Sequence, residues 1–250
     1  MAKRNFSYFI FIVLLIQACS SGQSVVKIDA PPPTTTPAAN PQKAHEITFG
    51  DVKKEGKLWG LDLSHYQEIV DWDKLVDQQP DFVFLKATEG MSIQDDKYNE
   101  HYNKFRKLNI PVGSYHFFGY KTQGKDQARN FLETVNYKKG DLPLVLDAEY
   151  AKTMPPPATV VKELMSFMKV VYAKYGTYPI IYCNFKYYLS YLKGNIPTKC
   201  KLWIVDYRGK PDCNWTFWQT TDKFNVWGIK GKVDFNMFNG TREDFAKLLR

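Results

Sequence analysis

Apolar residues in the stretch 51–250 follow two different spacings. Short runs rich in Val, Ile and aromatic residues are typical of β-strands, and eight occur: 58–63, 82–87, 112–118, 142–148, 179–183, 202–207, 216–219 and 232–235. Other segments carry apolar residues three and four positions apart, as one helix face does: 73–78, 99–108, 125–135, 159–175 and 242–249. The alternation of strands and helices predicts an α/β fold, a single domain folded as an irregular TIM-like β/α barrel.

The end of this stretch departs from the repeat. Three strand-like runs follow one another between residues 200 and 235, with little helix between them. Parallel neighbours need a crossover of about a dozen residues or more. We therefore expect antiparallel or helix-free connections in this part of the barrel.

The N-terminal segment has the features of an export signal. Lys3 and Arg4 precede an apolar stretch, 6–16, which has the length of a signal-peptide core and is short for a membrane span. It ends in Ile16-Gln17-Ala18-Cys19, which resembles the lipobox of bacterial lipoproteins. The resemblance implies cleavage before Cys19 and acylation of that residue, which would anchor the protein to a membrane. An ordinary signal peptide with an incidental cysteine is the alternative.

A Pro- and Thr-rich segment follows the proposed lipid site. Residues 20–42 contain PPPTTTPAANP and too few apolar residues to form a core. Such a segment favours an extended polyproline conformation of about 3 Å per residue. We therefore divide the chain into a signal peptide (1–18), a lipidated cysteine with a tether (19–50) and the barrel domain (51–250), located in the bacterial cell envelope.

Composition and charge narrow the class of partner. Hydrophobic residues make up 44% and charged residues 24% of the chain, as in soluble globular proteins. The net charge is +8, but the basic residues are scattered and follow no nucleic-acid-binding motif, so we expect no nucleic acid partner. An anionic polymer such as a cell wall fits this charge. We expect a monomer.

Three cysteines remain once Cys19 is assigned to lipid. In an oxidising compartment they predict one disulfide and one buried thiol. Cys200 and Cys213 flank a predicted strand and loop and are the preferred pair, whereas Cys183 lies in the apolar run PIIYC. No CxxC or His-rich spacing indicates a metal site.

Polar residues stand where the predicted strands end. In a β/α barrel these ends surround the active site, and they include Asp62, Glu89, Tyr115, His116, Asp147, Glu149, Trp218, Gln219 and Asp234. Asp147 and Glu149 are two positions apart after the apolar run LPLVL, so they face the same side of a strand with Cα atoms about 6.6 Å apart. Crowded carboxylates raise one another's pKa, as a general acid requires.

Several motifs occur in an order that resembles a known family. GLDLSHYQ, FLKATEG, PVGSYHFF, LPLVLDAE, PIIYCN, LWIVDY, FWQ and GIKGKVDFN resemble the family 25 glycoside hydrolases, which are muramidases of the Chalaropsis lysozyme type. The resemblance spans 58–239, the whole predicted domain. It implies cleavage of the β-1,4 bond between N-acetylmuramic acid and N-acetylglucosamine in peptidoglycan strands, without a metal or cofactor.

The resemblance also implies roles for individual residues. Glu149 resembles the family's general acid, and Asp147 its partner carboxylate, which steers the substrate N-acetyl group or stabilises charge. The other matching positions are acidic cleft residues, aromatic wall residues and the tryptophan of the WQ element: Asp62, Glu89 and Asp234; Tyr115 and Tyr182; and Trp218. The spacing of Asp147 and Glu149 leaves retaining and inverting stereochemistry open.

Other interpretations compete with this one. A chitinase-like glycosidase also uses a DxE pair, but its longer motif needs acids where this chain has Leu142 and Val145. A non-catalytic glycan-binding lipoprotein on a hydrolase scaffold would not need all of the acidic positions. In a third interpretation the protein only attaches to the envelope through its basic surface and performs no glycan chemistry. Only the net positive charge favours this interpretation.

The lipobox-like ending generates the first testable prediction. The native protein should partition into the detergent phase, because acyl chains on Cys19 bury their methylenes in a micelle as in a bilayer. Cys19→Ala should move the protein to the aqueous phase. Mass spectrometry of the mature N-terminus provides the direct measurement, and an unacylated, water-soluble native protein would contradict the anchor.

Overall fold

A computed structural model describes residues 56–249. It contains eleven strands: β1 (Trp59–Leu63), β2 (Glu68–Ile69), β3 (Phe82–Glu89), β4 (Ile93–Gln94), β5 (Val112–Phe117), β6 (Val145–Asp147), β7 (Ile180–Asn184), β8 (Leu202–Val205), β9 (Phe217–Phe224), β10 (Ile229–Lys230) and β11 (Val233–Phe238). Eight of them, all except β2, β4 and β10, form a closed barrel, because β1 pairs with both β3 and β11. The predicted barrel, and each of its eight predicted strands, is confirmed.

One strand of the barrel runs against the others. The strands from β1 through β3, β5, β6, β7 and β8 to β9 are parallel neighbours, whereas β11 lies antiparallel between β9 and β1. The connection from β9 to β11 holds only the short β10 and turns, so it cannot make a helical crossover. The antiparallel closure expected from the sequence is thus confirmed, and its register places Asp62 opposite Asp234.

Five of the six helices within residues 56–249 match a predicted segment to within a few residues. The six helices are α1 (Trp72–Asp77), α2 (Tyr98–Lys107), α3 (Gly124–Thr134), α4 (Pro157–Tyr175), α5 (Phe185–Tyr187) and α6 (Arg242–Ala246). The sequence pattern did not indicate α5 or the single π-helical segment Tyr188–Leu192 that follows it. None of the helices within 56–249 is long and apolar enough to cross a membrane. The predicted signal peptide, Cys19 and the tether lie outside the described residues.

Aromatic side chains fill the interior of the barrel. Phe84 stacks on Trp203 at 4.2 Å between ring centroids, and Phe217 meets Phe84 edge-on at 5.1 Å. These three residues are buried together with the rings of Phe82 and Phe238. A second apolar layer lies between the strands and the surrounding helices. The interior aromatic layer therefore forms a solid floor for whatever binds at the strand ends.

The cysteine prediction is wrong in one respect. Cys183 is buried, as predicted, but Cys200 and Cys213 are free thiols rather than a disulfide. Burial, and then the neighbouring Cys213 thiol, raises the pKa of Cys183, whereas Lys201 is the charged neighbour that acts on Cys200. The loop after β8 thus brings Cys213 towards β7, and not towards the residue that precedes β8.

The packed interior generates a prediction about Gly113 in β5. A Cβ atom there would overlap the Phe84 ring, which cannot move because it is stacked on Trp203. Gly113→Ala should lower the free energy of unfolding by about 1–3 kcal/mol, as over-packing does in other cores. Urea unfolding provides the measurement.

Gly119→Ala is the matched control for this substitution. Its Cβ would meet the Gly90 Cα at 3.8 Å and the Gln127 Oε1 at 3.9 Å, which are ordinary contacts. Equal stabilities of the two variants would contradict the proposed clash.

Candidate active site

The strand ends surround a cleft of about 240 Å³. Six of the residues predicted from the sequence line it: Asp62, Tyr115, Asp147, Glu149, Tyr182 and Asp234. They come from β1, β5, β6, β7 and β11, so distant parts of the chain meet here. The predicted gathering of acidic groups at one mouth of the barrel is present in the structure.

The carboxylate of Asp62 lies at the centre of a buried hydrogen-bond network. Its Oδ2 accepts from the Asn236 side chain at 2.7 Å and from the Gln219 side chain at 3.0 Å. Asp234 shares a proton with it: burial, and then the charge of Asp62, raises the pKa of Asp234 to about 9. Burial also raises the pKa of Asp62, but the hydrogen bonds from Asn236, Asp234 and Gln219 oppose this effect. Within the pair, Asp62 is therefore the member that carries the charge, and Asp234 is the one that keeps the proton.

The Asp147 and Glu149 carboxyls both open into this cleft. Asp147 is buried, and its Oδ1 has no hydrogen-bond partner. Burial, followed by the charges of Glu149 and Asp62, raises the pKa of Asp147 well above its usual range. Burial and then the charge of Asp62 also raise the pKa of Glu149, while a hydrogen bond with Tyr182 acts in the opposite direction. The pair thus has the shared face and the crowding that its spacing predicted.

Lys86 and Glu89 form an ion pair at the edge of the cleft. The Lys86 Nζ lies 2.7 Å from the Glu89 Oε2, and the lysine is buried against the Phe117 ring. Its charge also lowers the pKa of Asp147, against the larger effect of burial. This ion pair therefore holds Glu89 at the wall of the site.

Aromatic and amide side chains complete the walls. The Tyr182 and Tyr207 hydroxyls both donate to the Gln219 Oε1, at 3.0 and 2.8 Å. The Trp203 indole packs edge-on against Tyr182 at 4.6 Å and donates to the Asn236 Oδ1 at 2.8 Å. Sequence reasoning missed Trp203, Asn236 and Tyr207. The alternation of side chains on a strand could have identified Asn236, because it lies two positions after Asp234 on β11 and residues at this spacing face the same side.

Trp218, the tryptophan of the WQ element, does not line the cleft. The side chains of β9 alternate, and Gln219 and Phe217 point into the barrel, which turns Trp218 outwards. Its ring packs against Trp215 at 5.8 Å, and its Nε1 donates to the Asp206 carbonyl at 2.9 Å. Trp218 thus supports the rim from behind.

His116 is a structural residue, as its aromatic surroundings indicated. It is fully buried, and its ring nitrogens contact Thr88 Oγ1 at 2.7 Å and Gln127 Oε1 at 3.1 Å. Burial lowers its pKa to about 4. It stays neutral at physiological pH and links β3, β5 and α3.

The carboxylate of Asp95 holds the loop that follows β1. Asp95 accepts hydrogen bonds from the backbone N–H groups of His65 and Lys97, and its Oδ2 lies 2.7 Å from the His65 Nδ1. His65, Asp95 and Asp96 form a group with metal-ligand spacing. The Asp95 oxygens are already engaged, and these contacts hold Ser64 and Gln67 against the cleft.

The sequence of this chain is similar to those of known proteins. A family model described as "Glycosyl hydrolases family 25" matches residues 61–229. The uncharacterised protein YegX of Escherichia coli K12 is 34% identical over 196 residues, which cover 75% of this chain and 71% of YegX. Lysozyme M1 of Streptomyces globisporus is 27% identical over 215 residues, which cover 78% of this chain and 72% of the lysozyme.

A solved structure from the same family has a similar fold. A solved family 25 glycosyl hydrolase from Bacillus anthracis matches with a TM-score of 0.72 and 32% identity, covering 78% of this chain and 94% of that protein. The family-model match, 61–229, begins within β1, covers the strands from β3 to β9 in full and contains the Asp147 and Glu149 pair. This chain therefore belongs to the family 25 glycosyl hydrolases and is a glycoside hydrolase.

Proposed function

We propose that this protein is an N-acetylmuramidase, which cleaves the β-1,4 bond between N-acetylmuramic acid and N-acetylglucosamine in peptidoglycan. The observation that carries the proposal is the Asp147 and Glu149 pair, whose carboxyls share one cleft while one oxygen of Asp147 has no partner. Glycosidic cleavage uses two such carboxyl groups, one of which donates a proton. The lysozyme name of a relative in the family supports the choice of substrate.

Glu149 acts as the general acid in this proposal. Its raised pKa keeps the carboxyl protonated closer to neutral pH, and it is less buried than Asp147, so it can reach a bound substrate. The proton of Glu149 moves to the glycosidic oxygen as the bond from that oxygen to the sugar carbon breaks. The bonding electrons stay with the oxygen, which leaves as a hydroxyl group.

Asp147 acts on the other side of the same sugar. Its unpaired Oδ1 is a buried acceptor, which suits the N–H of the substrate's 2-acetamido group. A hydrogen bond there turns the acetamide oxygen towards the anomeric carbon, where it forms a bond as the leaving oxygen departs. Water, deprotonated by the Glu149 carboxylate, then opens the cyclic intermediate and restores the acetamide.

Asp62 supplies a fixed negative charge to this reaction. It is held by Gln219 and Asn236 and does not have to reorganise when positive charge develops on the sugar. The same charge raises the pKa of Glu149. One buried carboxylate therefore helps both the proton donor and the transition state.

The location of the enzyme is proposed from the sequence. The lipobox-like ending at Cys19 and the Pro-rich segment after it fit an exported lipoprotein held in the bacterial envelope by acyl chains. Such a tether would allow the barrel to reach a polymeric substrate while it stays attached to a membrane.

The assignment of the proton donor generates a prediction. Glu149→Gln should lower turnover on purified peptidoglycan by a factor of about a hundred or more, because the amide keeps the shape but cannot donate the proton. Binding to the glycan should persist. Release of fragments with a reducing-end N-acetylmuramic acid, followed by mass spectrometry, provides the measurement.

Glu133→Gln, an exposed change on α3, is the matched control. It should retain the turnover of the unmodified protein. Near-normal turnover in a well-folded Glu149→Gln protein would remove Glu149 from the acid role.

The protonated state of Asp234 generates a prediction about pH. Its pKa is raised from 3.8 to about 9 in the folded chain, so the folded chain keeps this proton at pH values where the unfolded chain has lost it. The stability that the proton contributes is full below pH 4, falls as the pH rises and is lost once the pH passes through 9. Asn at this position does not titrate and can still donate to Asp62. The stability of Asp234→Asn relative to the unmodified protein should therefore rise with pH, by up to about 1.4 kcal/mol per pH unit.

Urea unfolding of both proteins between pH 5 and pH 10 measures this trend. Thr159→Ala, at an exposed site on α4, changes no titratable group and should show a difference that does not vary with pH. A constant difference for Asp234→Asn as well would mean that Asp234 is already ionised at neutral pH.

A further inference from the structure

A larger cavity of about 880 Å³ adjoins the catalytic cleft. We call it the side cavity; three loops at the strand ends form it, comprising residues 90–93, 118–122 and 150–155. Glu89, Phe117 and Glu149 lie at its boundary with the catalytic centre. A substrate bound at Glu149 can therefore extend a substituent directly into it.

The walls of the side cavity are held in place by buried side chains. The Asn130 side chain donates to the carbonyls of Gly90 and Ile93 at 3.0 and 3.2 Å. The Gly119 N–H donates to Gln127 Oε1 at 2.9 Å, and the Tyr120 hydroxyl donates to the Glu149 carbonyl at 2.8 Å. The cavity is thus formed before a ligand enters, as binding sites usually are.

The chemistry of the side cavity differs from that of the catalytic cleft. Met91 and Ile93 are 55% and 54% exposed, and Met154 adds a third flexible apolar side chain. Lys121 and Lys152 are exposed on the other two loops and form no ion pair within residues 56–249. Apolar surface beside unpaired cations fits a ligand with small aliphatic groups and carboxylates.

The opposite wall of the catalytic cleft has the chemistry that a sugar ring requires. Ser64, Gln67 and Tyr66 line it together with Trp203. Hydroxyl, amide and aromatic groups suit a neutral ligand with many hydroxyls and flat apolar faces. The glycan backbone therefore has its own wall, and the side cavity is left for a different part of the substrate.

Peptidoglycan has one substituent with the required chemistry. N-acetylmuramic acid carries, on its lactyl ether, a short stem peptide with alanine methyl groups and free carboxylates. Resting on the proposed function, we propose that the side cavity binds the stem peptide of the muramic acid residue held at Glu149. Met91 and Ile93 then contact its aliphatic groups, and Lys121 and Lys152 pair with its carboxylates.

The experiment compares two forms of one substrate. Soluble glycan strands with intact stem peptides are prepared from purified sacculi, and half are treated with an amidase that removes the peptides. The unmodified enzyme should show a kcat/KM about tenfold higher on the peptide-bearing strands. A few exposed ion pairs together with apolar contacts can supply a preference of this size. The double variant Lys121→Glu, Lys152→Glu should bring this ratio close to one.

Two further variants of the enzyme test whether the effect is specific to the side cavity. Lys199→Glu with Lys201→Glu makes the same change in charge near the start of β8, at the opposite end of the barrel, and should leave the ratio as it is in the unmodified enzyme. Glu149→Gln, with its much lower turnover, allows binding to both kinds of soluble strand to be measured by isothermal titration calorimetry. Its preference for peptide-bearing strands should also depend on Lys121 and Lys152.

The outcomes separate the two proposals. Equal kcat/KM on both substrates, or a ratio that the Lys121 and Lys152 changes leave intact, would overturn the stem-peptide site and leave the muramidase proposal standing. Equal losses on both substrates would show that the glycan itself enters the side cavity. Binding preference without any cleavage by the unmodified protein would overturn the proposed activity and retain the peptide site.

Discussion

Burial of the Asp62 carboxylate is the constraint on which the site and the closure of the barrel depend. An unpaired buried charge costs several kcal/mol, so its hydrogen-bond donors must be in place. Those donors, Gln219, Asn236 and protonated Asp234, come from β9 and β11. The indole of Trp203 in turn orients Asn236. The aromatic interior and the acidic centre are therefore parts of one packed unit.

The site combines a strong excess of negative charge with one nearby cation. The charges of Glu149 and Asp62 raise the pKa of Asp147, and the charge of Asp62 raises that of Glu149. Lys86 lowers the pKa of Asp147. Proton donation to a glycosidic oxygen depends on this imbalance, because an isolated carboxyl would be ionised at neutral pH. The shift in the pKa of Glu149 comes from burial, Asp62 and Tyr182, and not from Lys121 or Lys152 of the side cavity.

The sequence was informative where periodicity alone decides the outcome. The eight barrel strands are apolar runs closed by polar residues, and the two-residue spacing of Asp147 and Glu149 places both on one face. The pattern FWQ does not say which of Trp218 and Gln219 faces inwards, and in the structure Gln219 takes the inward position while Trp218 supports the rim from behind. The pairing of cysteines depends on the path of a loop, which has no periodic signal. The side cavity could not be predicted, since its three loops are separated in the chain and meet only because β3, β5 and β6 pair side by side.

The antiparallel strand β11 also has a consequence for the order in which the protein matures. Asp62 lies on the first strand of the barrel and Asp234 on the last, and they face each other across the seam between β1 and β11. Contacts so distant in sequence form late, after most of the chain is available. A nascent chain that ends before Val233 has two open sheet edges and an incomplete acidic centre. The glycoside hydrolase activity therefore arises only after synthesis has passed β11 and this strand has paired with β1.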